Sequence, residues 1–238
     1  MNKPRTILCE PELVVIPAGS FLMGGIDEDK FVSAVELPRH RVMFSRAFGL
    51  GKRPVTHREW REIMEPATHC HLDLEHPMVR VSYREILTFL GKLSEKYGQA
   101  YRLPSEAEWE YTCRAGSCSV FPSGSTISLE EANFLYDENG REIGLGEIMP
   151  AGQFPPNHHG VHDLLGNVCE WTADVWHANF DAAPTDGSAW THGGKLACRS
   201  IRGGAWDHLP RLLRASWRDW APEKARWDNL GFRIALSL

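Results

Sequence analysis

The feature that most constrains the fold is the absence of helical periodicity beyond residue 117. In that part of the chain Gly, Pro, Asn and His interrupt short apolar segments, and no run keeps the spacing of an amphipathic helix. Such a sequence buries its apolar residues by packing irregular loops onto small twisted sheets. We therefore predict a loop-rich second half that contains only short strands.

The first half of the chain contains clear helix and strand signals. Thr56, Ser82 and Ser105 stand where the N-caps of three helices would fall, and these helices are predicted to end near Met64, Tyr97 and Arg114. The second helix carries one apolar stripe, and Gly98 follows it as a left-handed C-terminal cap. Short strands are predicted at 13–19, 21–24 and 41–44. The apolar stripe consists of Ile86, Leu90, Leu93 and Tyr97.

Composition narrows the class of protein. A chain of 238 residues that is 42% hydrophobic and 24% charged is expected to form one globular domain over 1–238. The net charge of −5 and the interleaving of Arg with Asp and Glu argue against a nucleic-acid partner. There is no signal-peptide core and no stretch that could span a bilayer, so we expect no membrane partner and a cytoplasmic location.

The six cysteines are irregularly spaced and form no Cys-x-x-Cys pair, which argues against a zinc knuckle or a thioredoxin-type motif. In a reducing compartment most of them are expected to be buried thiols. A disulfide between Cys113 and Cys118, the only pair that is close in sequence, is the alternative.

Several motifs in a fixed order carry a family resemblance. Together they resemble the formylglycine-generating, or sulfatase-modifying, enzymes. The resemblance implies an α+β, C-type-lectin-like domain with small antiparallel sheets, two to three helices and long irregular loops. The motifs are Ile16–Phe21, His76–Val79, Arg102–Glu110, Gly166–Trp171, Arg202–Trp206 and Leu230–Arg233.

The resemblance fails at the residues that carry the family's best-known activity. In the enzymes that oxidise a sulfatase cysteine, a Gly-Gly-Ser-aromatic turn is followed by two cysteines that hold copper. The matching positions here are His208 and Leu213. A thiolate ligates soft Cu(I) and exchanges with a substrate thiol, whereas Leu does neither. The sequence therefore predicts neither copper binding nor formylglycine-generating activity.

The resemblance also implies a calcium site in the loop from Asp163 to Glu170. It would use the side chains of Asp163 and Glu170 and the carbonyls of Gly166 and Val168. Calcium takes several oxygen ligands of this kind from a bent backbone, and two carboxylates in one loop would otherwise repel each other. In the alternative, Glu170 and Asn167 tie the loop through hydrogen bonds without an ion.

The segment 202–238 is predicted to face a ligand. Trp and Arg, which dominate binding hot spots, are abundant in it. It is similar to the C-terminal segment of the variable proteins of diversity-generating retroelements, which diversify exposed positions within the same Gly-Gly-x-Trp to Gly-Phe-Arg frame. Alternatively, these residues belong to the core and to a solvated loop. The predicted contacts to a protein or small-molecule ligand are Trp206, Asp207, His208, Leu209, Leu213, Trp217, Asp219, Trp220, Trp227, Asp228 and Asn229.

The predicted function is therefore ligand binding, with no catalytic residues assigned. The alternative is a metal-dependent oxidoreductase. His158, His159 and His162, together with His208, are candidate iron ligands, although the first three stand in a loop where helical spacing does not apply. A second group of metal-capable side chains at short spacing consists of His69, Cys70, His71 and His76, although spacing alone does not show that these side chains converge.

Overall fold

The computed structural model describes residues 10–64 and 74–238 and has the predicted α+β architecture. Its three helices are α1 (His57–Met64), α2 (Tyr83–Tyr97) and α3 (Glu106–Arg114), and each begins directly after its predicted cap. Ser82 and Ser105 both form capping boxes, in which the Ser side chain accepts a backbone N–H and the Glu three residues later accepts the cap's own N–H. Gly98 ends α2 with a φ of 69°, as predicted.

Ten short strands form three small sheets in the described residues. Almost all pairs are antiparallel; the parallel pair is β6 with β9. The first sheet has the order β1-β4-β10-β5, the second is the β2-β3 hairpin, and the third has the order β8-β7-β6-β9. The strands are β1 (Leu13–Ile16), β2 (Gly19–Met23), β3 (His40–Phe44), β4 (Phe48–Gly51), β5 (Tyr101–Arg102), β6 (Cys169–Trp176), β7 (Lys195–Arg202), β8 (Arg218–Pro222), β9 (Leu230–Gly231) and β10 (Ala235–Ser237).

The apolar core connects the helices to the C-terminal strands. Ile86, Leu90 and Leu93 of α2 are buried in one cluster with Trp171 and Phe232, which confirms that the predicted stripe is a packing face. A second cluster contains Trp109 of α3 with residues of β1 to β4. Because β10 lies between β4 and β5, the end of the chain is the centre of the first sheet rather than its edge.

The most unusual part of the interior is a buried network of charged residues around α3. Glu106 accepts from Arg218 Nε at 2.6 Å and from Arg202 Nη1 at 3.2 Å. Glu110 accepts from Arg202 Nη2 at 2.5 Å and from Arg114 Nε at 2.8 Å. Burial alone would raise the pKa of both carboxyl groups, but the neighbouring guanidinium groups outweigh it and hold each pKa below its usual value.

Two further arginines of the C-terminal segment are paired in the interior. Arg214 contacts Asp29 at 2.5 Å and Glu36 at 2.8 Å, and Arg233 contacts Glu170 at 2.6 Å. A paired charge in the interior is tolerated because its partner and additional hydrogen bonds replace water. The C-terminal segment is thus fastened to the rest of the protein by ion pairs as well as by apolar contacts.

Two smaller expectations can be compared with the model. Cys113 and Cys118 are both free thiols, so the alternative of a disulfide between them is wrong. No helix among the described residues is long and apolar enough to cross a membrane.

We predict that the buried network is far more sensitive to substitution than an exposed ion pair. Glu110→Gln leaves Arg202 and Arg114 short of negative charge in the interior and is expected to cost about 3–5 kcal/mol of unfolding free energy. The matched control is Glu12→Gln, which breaks the exposed pair with Lys52 and is expected to cost about 0–1 kcal/mol. Urea unfolding of both variants measures the difference, and equal losses would contradict the prediction.

Candidate functional site

The segment that carries the candidate site begins with a turn that requires glycine. Gly203 and Gly204 have φ values of 96° and 70°. A Cβ at Gly203 would lie 2.9 Å from the Leu164 carbonyl oxygen, and one at Gly204 would lie 2.7 Å from the Leu212 carbonyl oxygen. The Trp206 amide then donates to the Asn167 carbonyl at 3.1 Å, which ties the turn to the 163–170 loop.

Directly after this turn, the side chains of Asp207, His208, Asp219 and Asn229 come together. With the adjacent Trp206 they form what we call the acidic turn cluster. The Asn229 amide donates to both oxygens of Asp207, at 2.9 and 3.1 Å. His208 Nε2 lies 3.8 Å from Asp207 Oδ1, and the charge of Asp219 also acts on His208. Three separate parts of the segment therefore meet here: the turn, β8 and the residues before β9.

The electrostatics of the cluster leave it negatively charged. Burial lowers the pKa of His208, although Asp207 and Asp219 act in the opposite direction, so the imidazole is predominantly neutral at pH 7. Neither Asp207 nor Asp219 forms an ion pair with a Lys or Arg among the described residues. The cluster thus presents two carboxylates that no cationic side chain balances.

Two nitrogen atoms in the same turn are buried without a hydrogen-bond partner. They are Trp206 Nε1 and His208 Nδ1. A buried polar atom without a partner costs roughly 1–3 kcal/mol, so such atoms are uncommon unless a ligand or water satisfies them. They make the turn the best-supported binding position within the predicted segment.

The remaining predicted contacts that are at least partly exposed lie outside this cluster. Trp220 is half-buried, and the Lys195 ammonium lies 3.3 Å from its ring centroid. Trp227 is 43% exposed, and Asp228 beside it pairs with Arg80 at 3.4 Å. Leu209 is half-buried at the start of a short helical turn.

Two of the predicted contacts, Leu213 and Trp217, have buried side chains, which argues against direct contact with a ligand. Leu213 has no exposed surface and packs against Phe121 and Phe134. Trp217 is 7% exposed and belongs to the main apolar cluster, where its ring meets the edge of His208 at a centroid distance of 5.7 Å. Leu213 therefore supports the core, and Trp217 forms a wall behind His208 rather than part of an exposed surface.

The predicted calcium loop is held by protein contacts. Both oxygens of Glu170 accept from Arg233 at 2.6 Å, and Oε2 also accepts from Trp109 Nε1 at 2.8 Å. The side chain of Asn167 bonds both the amide and the carbonyl of Met149. These contacts match the alternative in which hydrogen bonds tie the loop, and they do not fit Glu170 as a free calcium ligand.

The other three predicted ligands are close to this arrangement. Asp163 has a left-handed φ of 53°, and its Oδ2 accepts the Gly152 amide at 2.5 Å, while its Oδ1 has no partner. Burial raises the pKa of Asp163. Gly166 and Val168 are buried in the same loop. Calcium at this position stays a prediction. Because Arg233 already supplies the positive charge that Glu170 requires, we favour the alternative in which the loop holds no ion.

The histidine candidates for a metal do not form a site in the described residues. No group of three or more His, Cys, Asp or Glu side chains there could hold a metal ion. His162 Nδ1 contacts the Phe154 carbonyl at 2.8 Å, and His159 lies against Tyr111. His69, Cys70 and His71 lie outside the described residues, so the prediction for that run is not tested.

Comparison with known proteins establishes the family. The model of the sulfatase-modifying factor enzyme 1-like domain matches residues 2–238. The chain belongs to this family. PvdO from Pseudomonas aeruginosa, a solved structure, is 35% identical, with full coverage of both chains and a TM-score of 0.86. Treponema denticola variable protein 1 covers 94% of both chains with a TM-score of 0.77, but at 20% identity it supports the fold alone.

Curated members of the family include proteins named as active and as inactive. The formylglycine-generating enzyme of Mus musculus is 30% identical over 197 residues, which cover 76% of this chain and 50% of the mouse protein. Inactive C-alpha-formylglycine-generating enzyme 2 of Mus musculus is also 30% identical, over 192 residues, which cover 78% of this chain and 57% of that protein. The chain spans about half the length of these relatives, and family membership alone does not determine catalysis.

We predict that truncating two tryptophans of the segment lowers the free energy of unfolding to very different extents. Trp217→Ala removes a buried ring and is expected to cost roughly 3–5 kcal/mol of unfolding free energy. Trp227→Ala changes an exposed side chain and is expected to stay within about 0.5 kcal/mol. Thermal and urea melts of the two variants provide the measurement. A severe loss in Trp227→Ala, or none in Trp217→Ala, would refute this division of the segment.

We predict that a chelator leaves the melting temperature of the protein unchanged, because Arg233 already neutralises Glu170. The measurement is a thermal melt in EDTA and in excess calcium. If calcium does bind only the native state, it stabilises by about 2.7 kcal/mol at about 100 times its Kd. A loss of stability in EDTA that calcium restores, and that Glu170→Gln abolishes, would establish the calcium site instead.

Proposed function

We propose that this protein binds a ligand at the acidic turn cluster and that the group it recognises there is a guanidinium or an ammonium. The observation that carries the proposal is the pair of carboxylates, Asp207 and Asp219, which act on His208 and have no Lys or Arg partner among the described residues. His208 Nδ1, buried without a partner, is a further acceptor in the neutral tautomer that carries its proton on Nε2. An arginine side chain of a protein or peptide ligand supplies donors to these acceptors, whereas Trp206 Nε1 is itself a donor and requires an acceptor, such as a backbone carbonyl of the same ligand.

The charge balance supports a cationic group. The charges of Asp207 and Asp219 both act on His208 and on the buried thiol of Cys169. Because burial keeps His208 neutral, the imidazole does not cancel their charge. A guanidinium presents several donors in one plane and pairs favourably with carboxylates.

The arrangement of the segment supports recognition by a side chain rather than by a flat surface. Trp217 forms a buried wall behind His208, and Trp206 is half-buried in the same turn as His208. The partly exposed ring of Trp206 can provide apolar contact for the stem of an arginine and a face for its guanidinium. The more exposed Trp227 and Asp228 lie outside the cluster, where Asp228 already has Arg80 as its partner.

The alternative function is that of an oxidoreductase in which His208 accepts a proton. A neutral histidine beside two carboxylates is suited to accept one, because the carboxylates stabilise the imidazolium that forms. That function also needs an electron acceptor, and the described residues contain no group of three or more metal-ligating side chains. Ligand binding therefore accounts for more of the geometry.

The experiment compares two peptides that differ in one charge. An acetylated arginine-containing tripeptide amide is titrated by calorimetry against the same peptide with citrulline, which is a neutral isostere of arginine. We expect the arginine peptide to bind and Asp219→Asn to weaken its binding about tenfold or more, because a hydrogen bond to a charged group contributes about 1.5–3 kcal/mol.

The matched control is Asp228→Asn, an exposed carboxylate of the same segment that already pairs with Arg80. It is expected to change the affinity for the arginine peptide by less than about threefold. Equal affinity for the citrulline peptide, or an unchanged affinity in Asp219→Asn, would exclude recognition of a cation at the acidic turn cluster.

A further inference from the structure

A second candidate site lies in a cavity of about 280 Å³ between three loops. Three loops and Cys113 of α3 contribute to its walls. The loop residues are Pro122, Ser123, Ile127 and Glu131, residues 155–158, and Val161, Asp163, Leu164 and Leu165. Burial raises the pKa of Cys113 to about 12, so this thiol is a neutral part of the wall. None of the residues of the acidic turn cluster lines the cavity.

Most of the cavity wall is apolar. Pro122, Ile127, Pro155, Leu164 and Leu165 contribute to it. A dry engineered cavity of about 150 Å³ is large enough to hold benzene. The present volume therefore accommodates one ring or a branched aliphatic group together with a short polar extension.

One polar side chain in the lining is deeply buried and lacks a partner. Asp163 is 5% exposed, and its Oδ1 forms no hydrogen bond, whereas its Oδ2 accepts the Gly152 amide. The guanidinium of Arg233 donates a hydrogen bond to the Asp163 backbone carbonyl. Its ion pair is with the Glu170 carboxylate rather than with that of Asp163. The charges of Arg233 and His162 act on the Asp163 carboxyl group, but neither side chain donates a hydrogen bond to it.

The charged residues of the lining indicate which class of ligand the cavity would accept. The lining includes two acidic residues, Asp163 and Glu131, the imidazole of His158, and no Lys or Arg. One carboxylate oxygen of Glu131 accepts hydrogen bonds from the hydroxyl and the amide of Ser128. The buried acceptor without a partner in this lining is therefore Asp163 Oδ1. An anionic ligand would be repelled, while a group that donates a hydrogen bond and carries positive charge would be attracted.

We propose that this cavity binds a small apolar primary amine, with its hydrocarbon part against the apolar wall and its ammonium group on Asp163 Oδ1. The site is independent of the acidic turn cluster. Small-molecule sites commonly combine a mainly apolar lining with a few placed polar groups, and this cavity has that composition.

The test uses 2-phenylethylamine as the probe and 2-phenylethanol as its uncharged analogue, both titrated by calorimetry in EDTA so that no divalent cation contributes. We expect saturable binding of one amine per chain and at least tenfold weaker binding of the alcohol. Asp163→Asn is expected to weaken amine binding at least tenfold, since its amide places a donor where the ammonium needs an acceptor. Asn also tolerates the left-handed backbone at this position.

A second pair of variants keeps the test decisive if Asp163→Asn fails to fold, as judged by circular dichroism. Ile127→Trp fills the cavity from a partly exposed position and should abolish amine binding, whereas Leu129→Trp, which is exposed and outside the lining, should not. Asp219→Asn should also leave amine binding intact, which separates this site from the proposed peptide site. Absence of saturable amine binding, equal binding of the alcohol, or full binding by folded Asp163→Asn or Ile127→Trp would overturn the proposal.

Discussion

The pairing of buried arginines with buried carboxylates is the interaction on which the rest of the structure depends. Glu106 and Glu110 project from α3 into the interior, where each would be strongly unfavourable alone. Arg202 bridges them from β7, and Arg218 reaches Glu106 from β8. Because each guanidinium bonds in a fixed plane, this pairing fixes the position of the third sheet against α3 as well as neutralising charge.

The same principle extends to the loops. The 163–170 loop is closed by Arg233 on Glu170, and the segment after Met23 is held by Arg214 on Asp29 and Glu36. In a fold with so little regular secondary structure, few repeated backbone hydrogen bonds are available to hold the loops in place. Ion pairs of fixed geometry replace them, which leaves the surface residues of these loops free to vary in chemistry. That freedom is consistent with a family that includes proteins named as active and as inactive.

Much of the fold could be predicted because its signals are local. A cap residue and the glutamate three positions later determine where α2 and α3 begin, and the stripe on α2 follows from its spacing. The division between core and surface in the C-terminal segment could not be predicted in the same way. Trp217 and Trp227 are the same residue type in one segment, yet the first lies in the main apolar cluster and the second is exposed. Similarly, no spacing rule connects Glu170 with Arg233, which are 63 positions apart. The cavity beside Asp163 also escaped sequence reasoning, because loops that are distant in sequence form its walls.

The distribution of these charges along the chain has a consequence for how the protein is made. The carboxylates Asp29, Glu36, Glu106, Glu110 and Glu170 all emerge from the ribosome before the guanidinium groups of residues 202–233 that pair with them. A nascent chain that has reached only β6 lacks the arginine partners of Asp29, Glu36, Glu106 and Glu170 and has only Arg114 for Glu110, so the interior stays open to water until residues 202–233 have been made. Folding of this domain is therefore expected to begin only after that segment emerges, and until then the chain would expose its apolar segments to chaperones.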